Sequence, residues 1–209
     1  MEARLAVHGL RVRGAIHDEA GFATLVLIGY PGGEMWPAFL KGRLDEPDPL
    51  DSWTKRVIEP LAAEVGAVAL YPFAGPPWLP FQRWAMRAEG LRPSPIGPLI
   101  HPVYGPWHGW RAALGFAGRL DLPEPPEAVD ICAACQDKPC LSACPAQVFA
   151  SGRYDVPACA VHLRSQGNAC LRGGCLARKA CPVGAEHAYS QEQGAFHTRS
   201  FLASMDRFG

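Results

Sequence analysis

The chain has 209 residues, 48% of them hydrophobic and 19% charged, with Lys+Arg and Asp+Glu both at 20. That composition excludes a disordered segment, and a formal net charge of zero excludes the broad basic field that binds nucleic acid through its phosphates. The longest apolar stretch, residues 22–30 (FATLVLIGY), is far short of the roughly 20 residues that cross a bilayer, so no membrane association is expected.

In chain order, the opening residues MEARLAVHGLRVRG lack the apolar core and small-residue cleavage site of a secretory signal, and a cytoplasmic location is expected. Residues 23–29 (ATLVLIG) are apolar and partly β-branched, a buried strand. Residues 48–67 open with Asp-Pro, a helix start, and place Trp53, Val57 and Leu61 four apart on one face. Pro60 inside that pattern predicts a kink or a break. A second strand is expected over 67–73, and a short helix over 79–90, ended by Gly90. Residues 97–102 and 109–118 read as two strands around a turn. The 21 prolines and 22 glycines gather in turns such as GYPGGEMWP and FAGPPWLPF. Strands mixed with helices and short links predict an α+β or α/β layer domain.

A break in composition falls at residues 118–130 (GRLDLPEPPEAVD), with three prolines and four acids and little apolar content. It reads as a linker. All six tryptophans precede it and all eight cysteines follow it. Two modules are expected, 1–122 and 127–209.

The first four cysteines, Cys132, Cys135, Cys140 and Cys144, read C-x2-C-x4-C-x3-C and run into Pro145. Eight thiols concentrated in one module of a chain expected in a reducing compartment point to metal rather than disulfides. Four thiolates from closely spaced cysteines hold the corners of a 4Fe–4S core, and a fourth cysteine followed by proline points its loop toward another cluster. The bacterial ferredoxin pattern has two residues in the middle gap, where this chain has four. The second group, Cys159, Cys170, Cys175 and Cys181, is looser but also ends in Cys-Pro, at Pro182. Exchange of the two Cys-Pro cysteines gives one cluster on Cys132, Cys135, Cys140 and Cys181. The other falls on Cys144, Cys159, Cys170 and Cys175. Two four-cysteine zinc sites would consume the same eight thiolates, although only one C-x2-C knuckle occurs. His162, His187 and His197 are read as neighbours rather than ligands. Two clusters in one small domain form a relay, because one would suffice as a staple, so the second module is expected to move electrons.

The companion module carries Trp78, Phe81, Trp84, Tyr104, Trp107 and Trp110 among His101, His108, Arg83, Arg87 and Arg111. Large flat side chains beside a few polar heads suit a large planar cofactor. The same composition also describes a packing cluster with exposed cations.

The stretch IHPVYGPWHGWRAALGF is similar to one in the cobalamin-processing family, the proteins that strip the upper ligand from cobalamins. That run has the form I-H-P-x-[FY]-G-x-W-x3-R, carried here by Ile100, His101, Pro102, Tyr104, Gly105, Trp107 and Arg111. DPLDSW, residues 48–53, resembles the Asp-Pro-x-Asp that opens a helix in the same family. The module order resembles epoxyqueuosine reductases and reductive dehalogenases, which belong with the cobalamin-processing proteins to one fold group related to flavin nitroreductases.

The resemblance implies an α+β chain: a flavin-nitroreductase-like, cobalamin-type domain followed by a small two-cluster ferredoxin-like domain. It implies two 4Fe–4S clusters and a cobalamin held by His101, Tyr104, Trp107, Arg111, Trp78 and Trp84. His101 would lie at the corrin or its lower face, and Arg111 would hold a propionamide, a phosphate or a thiol co-substrate. No counterpart of the helical-repeat region or of the catalytic acid of epoxyqueuosine reductases is found, and the dehalogenases are much longer.

The function expected is an iron–sulfur oxidoreductase that delivers electrons to cobalamin, supplied by a redox partner protein; the fold group also admits a homodimer. Two alternatives stay open. One is a stand-alone ferredoxin-like carrier that docks a redox partner. The other is a flavin-dependent reductase binding FMN, for which Arg4, Arg11 and Arg13 offer the basic N-terminal stretch.

Overall fold

A computed structural model describes residues 1–208, with side chains to residue 207. The chain divides into two compact units. Met1–Leu91 and His108–Val129 form one, and Arg92–Trp107 joins the residues from Asp130 onward in the other.

The first unit opens with α1 (Glu2–Ala6), β1 (Arg11–Glu19) and β2 (Phe22–Pro31). The two strands form an antiparallel hairpin in which Glu19 faces Phe22. Its turn residues, Ala20 and Gly21, have φ of 53° and 82°, the positive pair whose twist matches that of the flanking strands. Next come α2 (Trp36–Gly42), α3 (Pro49–Glu64), β3 (Val68–Leu70) and α4 (Phe81–Glu89). The chain then leaves this unit for β4 (Arg92–Pro93) and β5 (Leu99–Ile100), and returns as β6 (His108–Phe116). The sheet has the order β1-β2-β6-β3, with every pairing antiparallel. β2 lies inside it and is buried from Thr24 through Pro31, which is why its sequence is a continuous apolar run rather than an alternation. The architecture is mixed α and β.

Several expected elements are present in altered form. α3 runs on through Pro60, because Trp53, Ile58, Leu61 and Ala62 anchor the helix in the core on both sides of it. β3 is only three residues long. Pro72 has no N–H for a ladder, and Tyr71 turns to stack on Phe73 with ring centroids 5.0 Å apart. α4 ends at Gly90 in the left-handed conformation, as its sequence predicts.

The two strands expected around a turn at 97–102 and 109–118 do not pair. β5 pairs with β4 in a separate two-stranded sheet, and β6 pairs with β2 and β3. Between them, His101 and Gly105 exchange both backbone hydrogen bonds, at 2.9 and 2.8 Å, and close a loop of their own. The strand β1 and the helices α1 and α2 arise where the sequence suggested only basic residues or turns. α4 packs on β1 at Gly14, where a Cβ would lie 3.0 Å from that of Ala88.

The second unit contains β4 and β5 and a run of short helices: α5 (Ile131–Ala134), α6 (Pro139–Ser142), α7 (Val156–Leu163), α8 (Ala169–Gly173) and α9 (Leu176–Lys179). A 3₁₀ turn, Ala185–His187, leads to α10 (Gln191–Phe208). Helices of four or five residues have almost no stability of their own. Side-chain caps support three of the five: Asp130 accepts from Ala133 N–H at 2.9 Å, Asp155 from Ala158 N–H at 2.9 Å and Asn168 from Leu171 N–H at 3.0 Å.

A small core of Ile96, Cys144, Val148, Phe149 and Ala177 holds them together, with Cys140, Leu141 and Cys159 packed on it. α10 approaches α8 closely: a Cβ on Gly194 would lie 2.7 Å from the Gly173 carbonyl oxygen. Among the described residues no helix is long and apolar enough to cross a membrane.

Candidate metal centre

Each cysteine of the second unit sits in or beside a short helix. Cys132 lies inside α5 and Cys135 just after it; Cys140 lies inside α6, and buried Cys144 follows its end. Cys159 is the fourth residue of α7, Cys170 the second of α8, Cys175 precedes α9, and Cys181 is two residues beyond it. Helix N-termini leave main-chain N–H groups without intrahelical partners, so thiols in or just before a first turn, such as Cys140 and Cys175, find donors.

The tertiary fold sorts these thiols into two groups of neighbours. Burial first, then the charges of Cys181, Cys140, Asp130 and Cys135, push the Cys132 thiol up from its ordinary pKa. Burial raises Cys140 as well, followed by Cys181 and Cys135. Burial raises Cys181, and Cys135 adds to it against the N–H of Val183. Cys132, Cys135, Cys140 and Cys181 are thus within each other's electrostatic reach.

The other four are linked in the same way. Burial raises Cys159, and the charges of Cys144 and Cys170 add to it. Cys175 is exposed as a whole residue, yet crowding around its thiol makes burial the largest upward cause, with Cys170 and Cys159 contributing and the N–H groups of Arg178 and Ala177 opposing. The two cysteines that precede proline, Cys144 and Cys181, therefore each neighbour the other stretch's thiols rather than only their own. Proline has no N–H and turns the chain away at each of these points.

Thiols held protonated by burial must release those protons when a metal binds. A donor set made only of sulfur suits soft metals, iron–sulfur cores among them. Among the described residues, no three His, Cys, Asp or Glu side chains converge on the position of a single metal ion.

The segment His101–Trp107 belongs to this second unit. Its loop lies against the backbone that follows Cys181. A Cβ on Gly105 would lie 1.8 Å from the Val183 carbonyl oxygen, and one on Gly184 would lie 2.3 Å from the Tyr104 carbonyl carbon. Both glycines have positive φ, 54° and 66°, so no other residue fits either position without moving backbone. The His101 ring stacks on Tyr104 at 4.4 Å, and its Nδ1 accepts from the N–H groups of Val103 and Tyr104 at 3.0 and 3.2 Å. Those two donors place the proton of a neutral imidazole on Nε2. Tyr104 meets His187 edge-on at 5.0 Å. Trp107 is buried against Tyr189 at 5.3 Å, and the Arg178 guanidinium lies over both rings, at 5.0 and 4.5 Å, while donating from Nε to the Pro106 carbonyl at 3.0 Å.

The other three residues expected at a cofactor are in the first unit. Trp78 is 53% exposed on the loop before α4. Trp84 is 1% exposed and packs on Phe81 at 4.9 Å, so it has no face to offer a ligand and is a core residue instead. Arg111 donates to the Asp51 carboxylate and, at 3.0 Å, to the Thr54 hydroxyl, and its guanidinium lies over Phe73 at 5.2 Å. It ties β6 to α3. The basic N-terminal residues are also engaged by carboxylates of their own unit: Arg4 by Glu64, Arg11 by Glu34 and Arg13 by Glu89.

The last pair is a buried network that sequence reasoning missed. Arg13 Nε and Nη2 donate to one Glu89 oxygen at 3.0 and 2.7 Å, Trp110 Nε1 donates to the other at 2.8 Å, and Arg13 also reaches the Tyr30 carbonyl and His108 Nδ1. Burial raises the Glu89 pKa, with Arg13 and Trp110 opposing. Strict alternation along β1 would give Arg11 and Arg13 the same face, and the irregular register between Val12 and Gly14 accompanies the exposure of the one and the burial of the other.

No protein-family model matches the chain. No curated protein matches it either. Solved structures do. The chain is similar to epoxyqueuosine reductase from Bacillus subtilis, seen with its catalytic loop swung out of the active site: 14% identity and a TM-score of 0.50 over 81% of this chain and 50% of that one. It is similar to an epoxyqueuosine reductase bound to an epoxyqueuosine-modified tRNA-Tyr stem loop, with 14% identity and a TM-score of 0.51 over 83% of this chain and 52% of that one. A selenomethionine-labelled epoxyqueuosine reductase matches at 13% identity and a TM-score of 0.50, over 85% and 53%. The likeness is one of fold, and the chain spans about half the length of these structures.

Proposed function

We propose that this chain is an iron–sulfur electron-transfer oxidoreductase with a flavin-nitroreductase-like domain followed by a two-cluster ferredoxin-like domain. Cys132, Cys135, Cys140 and Cys181 would hold one 4Fe–4S cluster, and Cys144, Cys159, Cys170 and Cys175 the other. The observation that carries the reading is the exchange of the two Cys-Pro thiols between neighbour groups. When bound, such clusters accept and release single electrons at potentials set by their surroundings.

The chain's own residues prepare both positions. The N–H groups of Cys140 and Leu141 point at Cys140, that of Val183 at Cys181, and those of Ala177 and Arg178 at Cys175. Donors of this kind favour the more negative, reduced state. Arg178, clamped between Trp107 and Tyr189, fixes α9, whose two ends lead to Cys175 and Cys181 and so join the two thiol groups through a single helical turn.

By resemblance, the electrons would go to a cobalamin near His101, Tyr104 and Trp107, with a cytoplasmic redox protein as donor. A second reading, a ferredoxin-like carrier without a bound cofactor, is favoured by the engagement of Arg111 and the burial of Trp84. The test is anaerobic purification or reconstitution, with iron, sulfide, cobalt and flavin measured together. About eight irons and eight sulfides per chain support the cluster assignment, while zinc, or intact thiols without iron, refutes it. Hydroxocobalamin titrated into the dithionite-reduced protein then separates the two readings. A change in the corrinoid spectrum supports the first, and an unchanged spectrum leaves the carrier.

A further inference from the structure

We infer that Arg178 is a positive charge shared by the two clusters: its guanidinium, fixed on the one helical turn that joins the two thiol groups and without a carboxylate of its own, stabilises the reduced state of both and raises both reduction potentials. The inference rests on the cluster assignment above.

The placement follows from α9, a single turn with a ligand of each group at its ends. Cys175 is its N-cap and belongs with Cys144, Cys159 and Cys170. Cys181 belongs to the other group, and its N–H donates to the Arg178 carbonyl at 3.3 Å. Lys179 N–H donates to the Cys175 carbonyl at 3.1 Å. Arg178 is thus three residues from either ligand, on a backbone that hydrogen bonds close at both ends. Its side chain is held as firmly as its main chain. Nε donates to the Pro106 carbonyl at 3.0 Å, and Nη2 donates to the same oxygen. The guanidinium carbon lies 5.0 Å from the centroid of the Trp107 ring and 4.5 Å from that of Tyr189, and both rings are buried.

Those partners fix the cation and do not neutralise it. A carbonyl and two ring faces carry dipoles and quadrupoles but no net charge. The enclosed arginines of the first unit are treated differently: Arg13 pairs with Glu89 and Arg111 with Asp51. Among the described residues no carboxylate pairs with the half-buried Arg178. A guanidinium does not shed its proton, and a charge drawn out of water requires an opposite one. A 4Fe–4S core on four thiolates is anionic and gains a further negative charge on reduction. A fixed cation beside the ligands of both cores therefore stabilises each reduced state more than each oxidised one. Lys179, the next residue, is exposed, and water and salt screen its charge. Each reduction adds one electron from the added reductant to one core. No bond breaks, and Arg178 keeps its proton throughout.

The experiment is a dithionite potentiometric titration of the reconstituted, full-length protein, read by EPR, with iron measured per chain. It compares the parent with Arg178→Met, Arg178→Lys and Lys179→Met. Methionine keeps apolar bulk and loses the charge, whereas lysine keeps the charge and loses the planar fork. In Arg178→Met both midpoints are expected to fall by the equivalent of about three- to tenfold in the reduction equilibrium, roughly 30–59 mV for one electron, with iron at the parent level. In Arg178→Lys and in Lys179→Met both midpoints stay near the parent values. Unchanged midpoints in Arg178→Met at full iron content overturn the inference, and so does a shift in only one of them. Equal falls in the methionine and lysine variants also overturn it, because shape rather than charge would then be the cause. Loss of iron from both Arg178 variants would make the residue a fold element and overturn it as well. Loss from Arg178→Met alone, with Arg178→Lys at parent midpoints, supports it, since the charge is then what retains the anionic cores. A parent that takes up no iron refutes the cluster assignment itself, and the parent's iron content separates that failure from the others.

Discussion

Paired cysteine substitutions distinguish exchanged ligation from ligation in sequence order. If each run of four cysteines held its own cluster, Cys132 and Cys144 would serve one site, and Cys132 and Cys181 would serve two. The neighbour groups reverse this: Cys181 lies with Cys132, Cys135 and Cys140, and Cys144 with Cys159, Cys170 and Cys175. A 4Fe–4S core held by three thiolates is readily lost, so each damaged group should cost about four irons per chain. In the double variant Cys132→Ala with Cys181→Ala, both changes fall in one group, and about four irons should remain. In Cys132→Ala with Cys144→Ala, one change falls in each group, and nearly all iron should go. The assay is iron and acid-labile sulfide per chain after anaerobic reconstitution, with EPR of the reduced protein to count the surviving centres. The opposite pattern, retention in the Cys132/Cys144 variant and loss in the Cys132/Cys181 variant, would refute the exchange while leaving the clusters.

Three further outcomes test the surrounding structure. Glu89→Ala removes the carboxylate paired with the Arg13 guanidinium, whose side chain is 3% exposed, and leaves it the Tyr30 carbonyl and His108 Nδ1; a loss of about 3–5 kcal/mol is expected in denaturant melts, and a loss near zero would mean that the buried charge does not need its counterion. Tyr71 is buried, its hydroxyl makes no hydrogen bond, and its pKa is pushed from 10.0 to about 12 by burial and then by Glu59. Because the folded state holds that proton longer than the unfolded chain, its contribution is complete below pH 10 and declines as pH rises through 12, by about 1.4 kcal/mol per unit. Tyr71→Phe should therefore raise stability at neutral pH by about 1 kcal/mol and remove that alkaline decline in the apoprotein, measured as the difference between parent and variant melts. Gly105→Ala forces a methyl into the Val183 carbonyl at a positive φ. It should destabilise the second unit by about 1–3 kcal/mol and weaken iron retention at Cys181 before it affects Cys159, as seen by EPR.

What could be read from the sequence was what depends on near neighbours along the chain. The spacing of the cysteines and the two Cys-Pro steps suggested two exchanged groups of four, because a proline redirects the backbone wherever it occurs. The apolar run of β2 and the Asp-Pro start and Gly90 end of two helices were legible for the same reason. The tertiary structure decided what depends on partners distant in sequence. β1 was missed because its arginines look like a basic patch until Glu34 and Glu89 are brought to them. Arg111 and Trp84 looked like cofactor residues, but Asp51 and Thr54 engage the one and Phe81 packs on the other. Residues 92–107 precede the proline-rich segment, yet they pack with the cysteines that follow it. Composition marks where a chain is flexible, whereas close backbone approach, as at Gly105 and Gly184, determines where a segment belongs.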